Sequence, residues 1–355
     1  MRSGRAALPA LLAALLTLLP ACSPSTDSSR LQSPTLERIR SRDRLLCGSN
    51  GQLPGFSAIR SDGSYGGLDV DLCRALAAAV LRDPAKLELR LLNTADRFAA
   101  LASGDVDLLS RNTTISLSRD AAGGNGLSFA PPILYDGGGL MARRTSGMEG
   151  LADLAGSTVC VLSGSSNEQV IADQMRSLGL RYTPLRFRSG DEAFSAYESG
   201  RCQAITSDRA GLAARRSRLR VPADHRLLEV VLSKEPLAAA TGQADVVWAD
   251  VVRWVVYGLI EAEEQGITQA NVRAKLAAAQ ADPSLGRLRR LLGVEGELGR
   301  RLGLADDFVV KMIEAVGHYG EIYERNLGSR SPLQLPRAIN RLASQGGLMQ
   351  APPFQ

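Results

Sequence analysis

The sequence predicts an α/β fold of two lobes, each a mostly parallel sheet flanked by helices, with the chain crossing twice between them. Three observations carry this expectation. Short apolar strand segments alternate with helical ones from Leu45 onward, the pattern of a parallel sheet with helices on its faces. The alternation is interrupted near residues 129–141 and again near 227–241, and a second α/β unit lies between the interruptions. At 355 residues the chain is long enough for two cores. The expected division is a signal peptide over 1–22, a tether over 23–36, the first part of lobe 1 over 37–136, lobe 2 over 137–234, the return of lobe 1 over 235–330, and a C-terminal extension over 331–355 that packs on lobe 1.

The N-terminus has the layout of an export signal. Arg2 and Arg5 precede an apolar run from Ala6 to Leu19, too short to span a bilayer permanently. The run ends in Leu19-Pro20-Ala21-Cys22 and a polar stretch follows. Leu19, Ala21 and Cys22 resemble the bacterial lipoprotein box, in which the cysteine is lipidated and anchors the protein to the membrane; Pro20 departs from it, and ordinary cleavage near Ala21–Ser23 fits as well.

Residues 33–44 read as a short charged helix. Leu45-Leu46-Cys47-Gly48 is the first strand, and it empties into a turn-rich loop that carries Asn50 and the isolated aromatic Phe56, either a loop anchor or a face on which a ligand lies. Asp69 and Asp71 open a helix with Leu72, Leu76, Ala79 and Val80 on one face. A strand over 86–92, a helix over 96–103 and a strand at 106–109 complete β-α-β-α-β. The last strand runs into Ser110-Arg111-Asn112-Thr113-Thr114-Ile115-Ser116-Leu117-Ser118-Arg119-Asp120, read alone as a polar surface turn or as a ligand-facing strand end. In open α/β sheets ligands sit beyond the carboxyl ends of strands. Hydroxyl and amide groups there could meet an ammonium, and Arg119 could grip a carboxylate with two parallel N–H donors.

Tyr135-Asp136-Gly137-Gly138-Gly139 suits a crossing between lobes, because glycine tolerates the backbone changes a hinge absorbs. In the second unit, the strand Thr158-Val159-Cys160-Val161-Leu162 is followed by Ser163-Gly164-Ser165-Ser166-Asn167-Glu168 and a helix. This loop fits an anion at a helix start or a plain serine cap, and no GK[ST] of a P-loop follows. Strand 181–187, helix 191–200 and a strand over 202–208 come next; Asp208 ends the last, placed either to cap the next helix or to pair with a ligand ammonium. Residues 227–232 and 236–241 form the second crossing. The apolar helix 245–263 contains Asp250 and Arg253 and reads as buried core. Two helical pieces, 286–292 and 306–327, and an extended tail follow.

Hydrophobic content of 45% and charged content of 22% are those of a soluble globular protein. The net charge of +5 comes from arginines scattered among acids, without an aromatic-interleaved basic patch, so nucleic acid is not an expected partner. Apart from Cys22 there are four cysteines, Cys47, Cys73, Cys160 and Cys202. They lack paired CxxC spacing, and only His225 and His318 could assist a metal, so neither metal nor cofactor is expected. Two disulfides and four buried thiols both fit the spacing.

Taken together, residues 53–57, 67–71, 110–120, 135–139, 163–166 and 206–208 resemble the periplasmic amino-acid-binding proteins of ABC importers, the two-lobed type 2 solute-binding fold. Ser110-Arg111-Asn112-Thr113-Thr114, Trp254 with Glu261-Ala262-Glu263-Glu264, Gly317-His318-Tyr319-Gly320-Glu321 and Gly346-Gly347-Leu348-Met349 are similar to the general L-amino-acid-binding subgroup. The resemblance implies a monomeric exported protein that binds an L-amino acid between closing lobes and delivers it to ABC permease subunits in the membrane. It implies a ligand site of Asn50, Phe56, Asn112, Thr114, Arg119, Ser165, Ser166 and Asp208. Arg119 would take the carboxylate, Asp208 the ammonium, the Ser165-Ser166 loop would meet the ligand from the second lobe, and Phe56 would wall its side chain. Ile115, Ser116, Gly138 and His318 depart from the subgroup's more frequent tryptophan, threonine, glutamine and asparagine. Two rivals share the fold: an enzyme such as a dehydratase, for which no general acid or base is readable near the site, and an extracellular sensor module, for which no membrane helix follows the lobes.

Overall fold

The computed structural model describes Met1 and residues 32–355. The signal segment, Cys22 and the tether up to residue 31 lie outside the described residues. Regular structure begins at Pro34, inside the stretch expected to be tether: Ser33 caps the helix Pro34–Arg42 by accepting from Leu36 N–H, and proline suits its first turn.

One ten-stranded sheet runs through the molecule, and its path explains both interruptions seen in the sequence. At one end Leu87–Leu91, Leu45–Ser49 and Leu108–Thr114 lie side by side and parallel. At the other, Thr183–Phe187, Thr158–Leu162 and Ala204–Asp208 form a second parallel trio. Between them stand two ten-residue strands, Leu134–Arg143 and Ser233–Gly242, antiparallel to each other. Leu134–Arg143 continues antiparallel onto Ala204–Asp208, and Ser233–Gly242 onto Leu108–Thr114. The two crossings are therefore a paired ribbon, with Ser233 opposite Gly138 and Glu235 opposite Asp136.

Hydrophobic burial follows this division. A large core joins the helix Leu68–Leu81, the helix Val246–Glu264 and the C-terminal helices around Leu45, Cys47 and Leu108. Separate clusters pack the two faces of the second trio, one around Leu140, Val159 and Ile171, the other around Met141, Tyr197 and Leu212. Asp245 caps the Val246–Glu264 helix through Trp248 N–H, and its other oxygen accepts from Ser33 Oγ and Thr35 N–H. Trp248 Nε1 donates to Asp107 O at 2.7 Å, so this helix is tied into the core, and among the described residues no helix is long and apolar enough to cross a membrane. The C-terminal extension reaches the first crossing, where the Asn340 amide makes two bonds to Tyr135, accepting from its N–H at 2.7 Å and donating to its carbonyl at 3.0 Å. Phe354 closes the tail edge-on against Trp254.

Three local expectations change. The turn-rich loop after the first strand contains a small antiparallel sheet of Gln52–Leu53, Ser57–Ile59 and Tyr65–Gly66, too short to show a period in sequence. The single helix expected over 306–327 is two, Phe308–Val316 and Tyr319–Asn326, because Gly317 takes a φ of 77° and His318 caps the second with Glu321 in a reciprocal box. A helix at Val272–Ala281 was not anticipated, its alanine-rich run having little amphipathic contrast.

The four cysteines form two bridges, Cys47–Cys73 and Cys160–Cys202. They close loops of 26 and 42 residues and join strand to helix in one lobe, and in the other the strand Thr158–Leu162 to the turn that leads into Ala204–Asp208. Loop closure of this size stabilises by about 3–4 kcal/mol per bridge in the chain-entropy picture. Replacing Cys160 and Cys202 by alanine is expected to lower the denaturant midpoint by a corresponding amount without loss of secondary structure; an unchanged midpoint would contradict a structural role.

Candidate ligand-binding cleft

The strand Leu108–Thr114 carries the eleven-residue motif to the centre of the sheet. Its end is unusual: Asn112 has a φ of 36° within a strand, a conformation that non-glycine residues adopt rarely and at a cost. Asp69, at the start of the helix Leu68–Leu81, holds it there. The buried Asp69 carboxylate accepts from Asn112 N–H at 3.2 Å and from Ser110 Oγ at 3.2 Å. Burial pushes the Asp69 carboxyl up to about 7 despite these donors.

The strained turn aims the Asn112 amide across the ribbon. Its Nδ2 donates to Asp208 at 3.1 Å, and Asn167 Nδ2 donates to the other Asp208 oxygen at 2.8 Å. Asp208 does not cap the helix Arg209–Arg216 with its side chain; the carboxylate is 5% exposed and faces the first lobe's strand end. Burial, reinforced by the nearby Glu235 charge, pushes it up to about 6. A buried carboxylate with a raised pKa and no paired cation is an acceptor for a positive group.

Arg119 comes from the short helix Leu117–Asp120 that follows the strand. Its Nη1 donates to Thr114 O at 2.8 Å, and its guanidinium lies over the Phe98 ring. It is 7% exposed, yet among the described residues it makes no ion pair and no second side-chain hydrogen bond. It faces a cavity of about 670 Å³ lined also by Phe98, Thr114, Ser165, Ser166 and Glu235. Arg111, in contrast, is committed within its own lobe, donating to Leu92 O and Thr94 Oγ1.

Glu235, on the second crossing strand, is the residue sequence reasoning missed. It is 1% exposed, and its Oε2 accepts from Thr114 Oγ1 at 2.5 Å and Ser166 Oγ at 2.8 Å, one hydroxyl from each lobe, while Oε1 accepts from Ser233 Oγ. Thr114 and Ser166 also lie 3.2 Å apart. The run Ser233-Lys234-Glu235 falls between the two segments read as the second crossing, because three polar residues in a row before a proline resemble a loop. Asn167 was missed although it directly follows Ser165-Ser166; the helix start it occupies, Ser166–Ser177, turns it inward. Asp69 had been read only as a helix-opening acid.

The fold pairs Asn112 with Asp208 and brings Thr114 to Arg119 and Ser166; Thr114, Arg119, Ser165 and Ser166 line the cavity, and Asn112 and Asp208 lie outside its lining. Ser165 is engaged as a helix cap, its Oγ accepting from Glu168 N–H and donating to Leu162 O. Two positions stand apart. Phe56, at 1% exposure, packs in the first lobe's core with Leu53 and Leu68 and is not among the residues that line the cavity. Asn50 accepts from Gln52 N–H in a surface turn and does not line the cavity. Among the described residues no group of three or more His, Cys, Asp or Glu side chains is arranged to hold a metal ion.

Arg119 at the open cavity and Asp208 held by amides from both parallel trios stand at the two ends of the ribbon. The model for bacterial extracellular solute-binding proteins, family 3, spans residues 45–290. This chain belongs to that family. The solute-binding chain is 41% identical over 333 residues to the general L-amino acid-binding periplasmic protein AapJ of Rhizobium johnstonii, covering 93% of this chain and 96% of that protein. It is 42% identical over 321 residues to the glutamate/glutamine/aspartate/asparagine-binding protein BztA of Rhodobacter capsulatus, covering 90% and 93%. Among solved structures, an ABC transporter periplasmic binding protein from Brucella ovis with glutathione bound superposes with a TM-score of 0.85 at 42% identity, over 91% of this chain and all of that one. The fold is the type 2 periplasmic binding fold, as the sequence led us to expect.

Proposed function

We propose that this solute-binding protein takes an L-amino acid zwitterion between its lobes and presents it to the membrane subunits of an ABC importer. The observation that carries the reading is Arg119, a buried guanidinium at the cavity wall whose one side-chain bond among the described residues goes to the Thr114 carbonyl. The remaining N–H groups suit a carboxylate taken in bidentate fashion. Asp208, held across the ribbon without a cation, suits the ammonium. Charge-assisted hydrogen bonds each contribute about 1.5–3 kcal/mol net, and micromolar binding needs about 8 kcal/mol. A few such contacts suffice when both poles are satisfied at once.

The hinge in this reading is the ribbon itself, over 134–138 and 233–237, where glycines 137 to 139 leave room for the backbone to turn. Its closure would be the shape the permease reads. The high similarity to AapJ and BztA supports amino acids as the ligand class and an extracytoplasmic location. Membrane attachment through Cys22 and a monomeric state belong to the same proposal. Neither histidine belongs to the cleft: His225 is hydrogen-bonded to Tyr197 inside the second lobe, and His318 caps a C-terminal helix.

The test is isothermal titration of the mature protein with the twenty L-amino acids, followed by chromatography of the recovered ligand. Binding of several amino acids, recovered unchanged, is the expected result. A converted ligand would replace the reading with an enzyme, and silence with all twenty would remove amino acids as the ligand class.

A further inference from the structure

Two acids line the cavity, and they differ in kind. Glu168 is partly exposed and pairs with Arg186 at 2.6 Å. Glu235 is 1% exposed and pairs with no cation among the described residues. Its partners are hydroxyls: Oε2 accepts from Thr114 Oγ1 at 2.5 Å and from Ser166 Oγ at 2.8 Å, and Oε1 accepts from Ser233 Oγ. A serine or threonine has one O–H to donate. Thr114 and Ser166 therefore spend their protons on Glu235, and the oxygen they share sets their 3.2 Å approach to each other.

The three hydroxyls belong to three parts of the molecule. Thr114 ends the first lobe's strand Leu108–Thr114, Ser166 begins the second lobe's helix Ser166–Ser177, and Ser233 begins the crossing strand on which Glu235 itself stands. One carboxylate oxygen thus joins both lobes at the ribbon. Thr114 also accepts from Arg119 Nη1 through its carbonyl, so the strand end held in this way is the one that seats Arg119. The ion pair of Arg188 with Asp96 spans the lobes too, but its side chains are 67% and 50% exposed, where such pairs contribute little.

Parting the lobes breaks two charge-assisted hydrogen bonds, each about twice as strong as a neutral one. It also returns water to an ionised carboxylate whose burial is unfavourable. The two effects oppose each other, so the contact releases and does not lock. We propose that Glu235 is an interlobe clasp, a positioning residue that raises the population of the closed arrangement before ligand enters and slows the ligand's departure without touching it. The inference goes beyond the amino-acid reading of the cleft and rests on it only for the kinetic part of the test.

Small-angle scattering without added ligand compares wild type with Glu235→Ala. Alanine leaves Thr114 and Ser166 only each other, one neutral bond in place of two charge-assisted ones, and the radius of gyration is expected to increase. Equal radii would overturn the clasp, whatever the cleft binds. Stopped-flow kinetics then follows release of L-amino acids of different side-chain charge. Glu235→Ala is expected to release each about tenfold faster and by the same factor, because closure contributes equally to every ligand. A factor that changed with ligand charge would make Glu235 a ligand contact and sink the clasp. Glu235→Gln is the rescue: its amide oxygen can accept from Thr114 and Ser166 while its N–H meets Ser233 Oγ, so release should stay within about threefold of wild type. A glutamine variant as fast as the alanine variant would refute the hydroxyl bridge. Ser166→Ala should speed release far less in the Glu235→Ala background than in wild type, and equal factors in the two would refute the coupling. Melting curves show that the variants remain folded. Wild type that bound no amino acid would overturn the cleft reading and leave the radii to decide the clasp.

Discussion

Replacing Arg119 by alanine is expected to weaken L-amino acid binding by on the order of 100-fold or more, since two charge-assisted bonds at about 1.5–3 kcal/mol each are lost. The side chain is 7% exposed and, among the described residues, bonded only to the Thr114 carbonyl. Its removal therefore takes away the buried cation at the cavity, leaving Arg186 and Lys234 in the lining, and disturbs little of the core. Titration of Arg119→Ala against wild type, with melting curves to show that the fold persists, measures the effect. A variant that bound amino acids as tightly as wild type would end the carboxylate assignment. Arg119→Lys is expected to recover only part of the affinity, because an ammonium cannot reproduce the planar two-point grip of a guanidinium.

The second large effect is the dependence of binding on pH, and it originates at Asp208. In the unliganded protein burial, reinforced by the Glu235 charge, pushes its carboxyl up to about 6. A ligand ammonium favours the ionised form, so binding above pH 6 meets a ready anion and binding below it must first release a proton. Affinity is expected to fall by about tenfold per pH unit as pH drops through 6, with proton release visible when titrations are repeated in buffers of different ionisation enthalpy. Asp208→Asn should abolish both the slope and most of the affinity; a retained slope would place the titrating group elsewhere.

Unliganded stability moves in the opposite direction. Asp69 and Asp136 are pushed up to about 7 and Asp208 to about 6 by burial, against an ordinary value of 3.8. The native state holds these protons more tightly than the unfolded chain. Their contribution is therefore favourable at low pH and is lost as pH rises from about 4 to about 7. The thermal midpoint without ligand should fall across that window while the increment given by ligand grows, and scanning calorimetry at pH 5 and pH 8 with and without ligand reads both.

The sequence determined a good deal of this molecule unaided. Alternating strand and helix periods from Leu45 onward define two α/β units, since burying one face of a strand or helix leaves a period that survives in the residue order. The glycines at 137 to 139 mark a crossing, and the run from Ser110 to Asp120, Asp208 and the loop at Ser163 stand out as polar strand ends, the positions from which the proposed zwitterion site is built. Glu235 escaped because its strand mixes serine, lysine, glutamate and proline, and its burial comes from partners 121 and 69 residues away, Thr114 and Ser166. Phe56 looked like a cleft aromatic because an isolated aromatic in a turn-rich loop carries no direction; three strands of two or three residues decided that it points into the core. The cysteine pairing was open between bridges and thiols until strand and helix brought Cys47 to Cys73 and Cys160 to Cys202. Local periodicity records which face of an element is buried, but it holds no information on which distant side chains share a hydrogen bond. The bridge of two hydroxyls on one acid exists only once both lobes and the ribbon between them have folded.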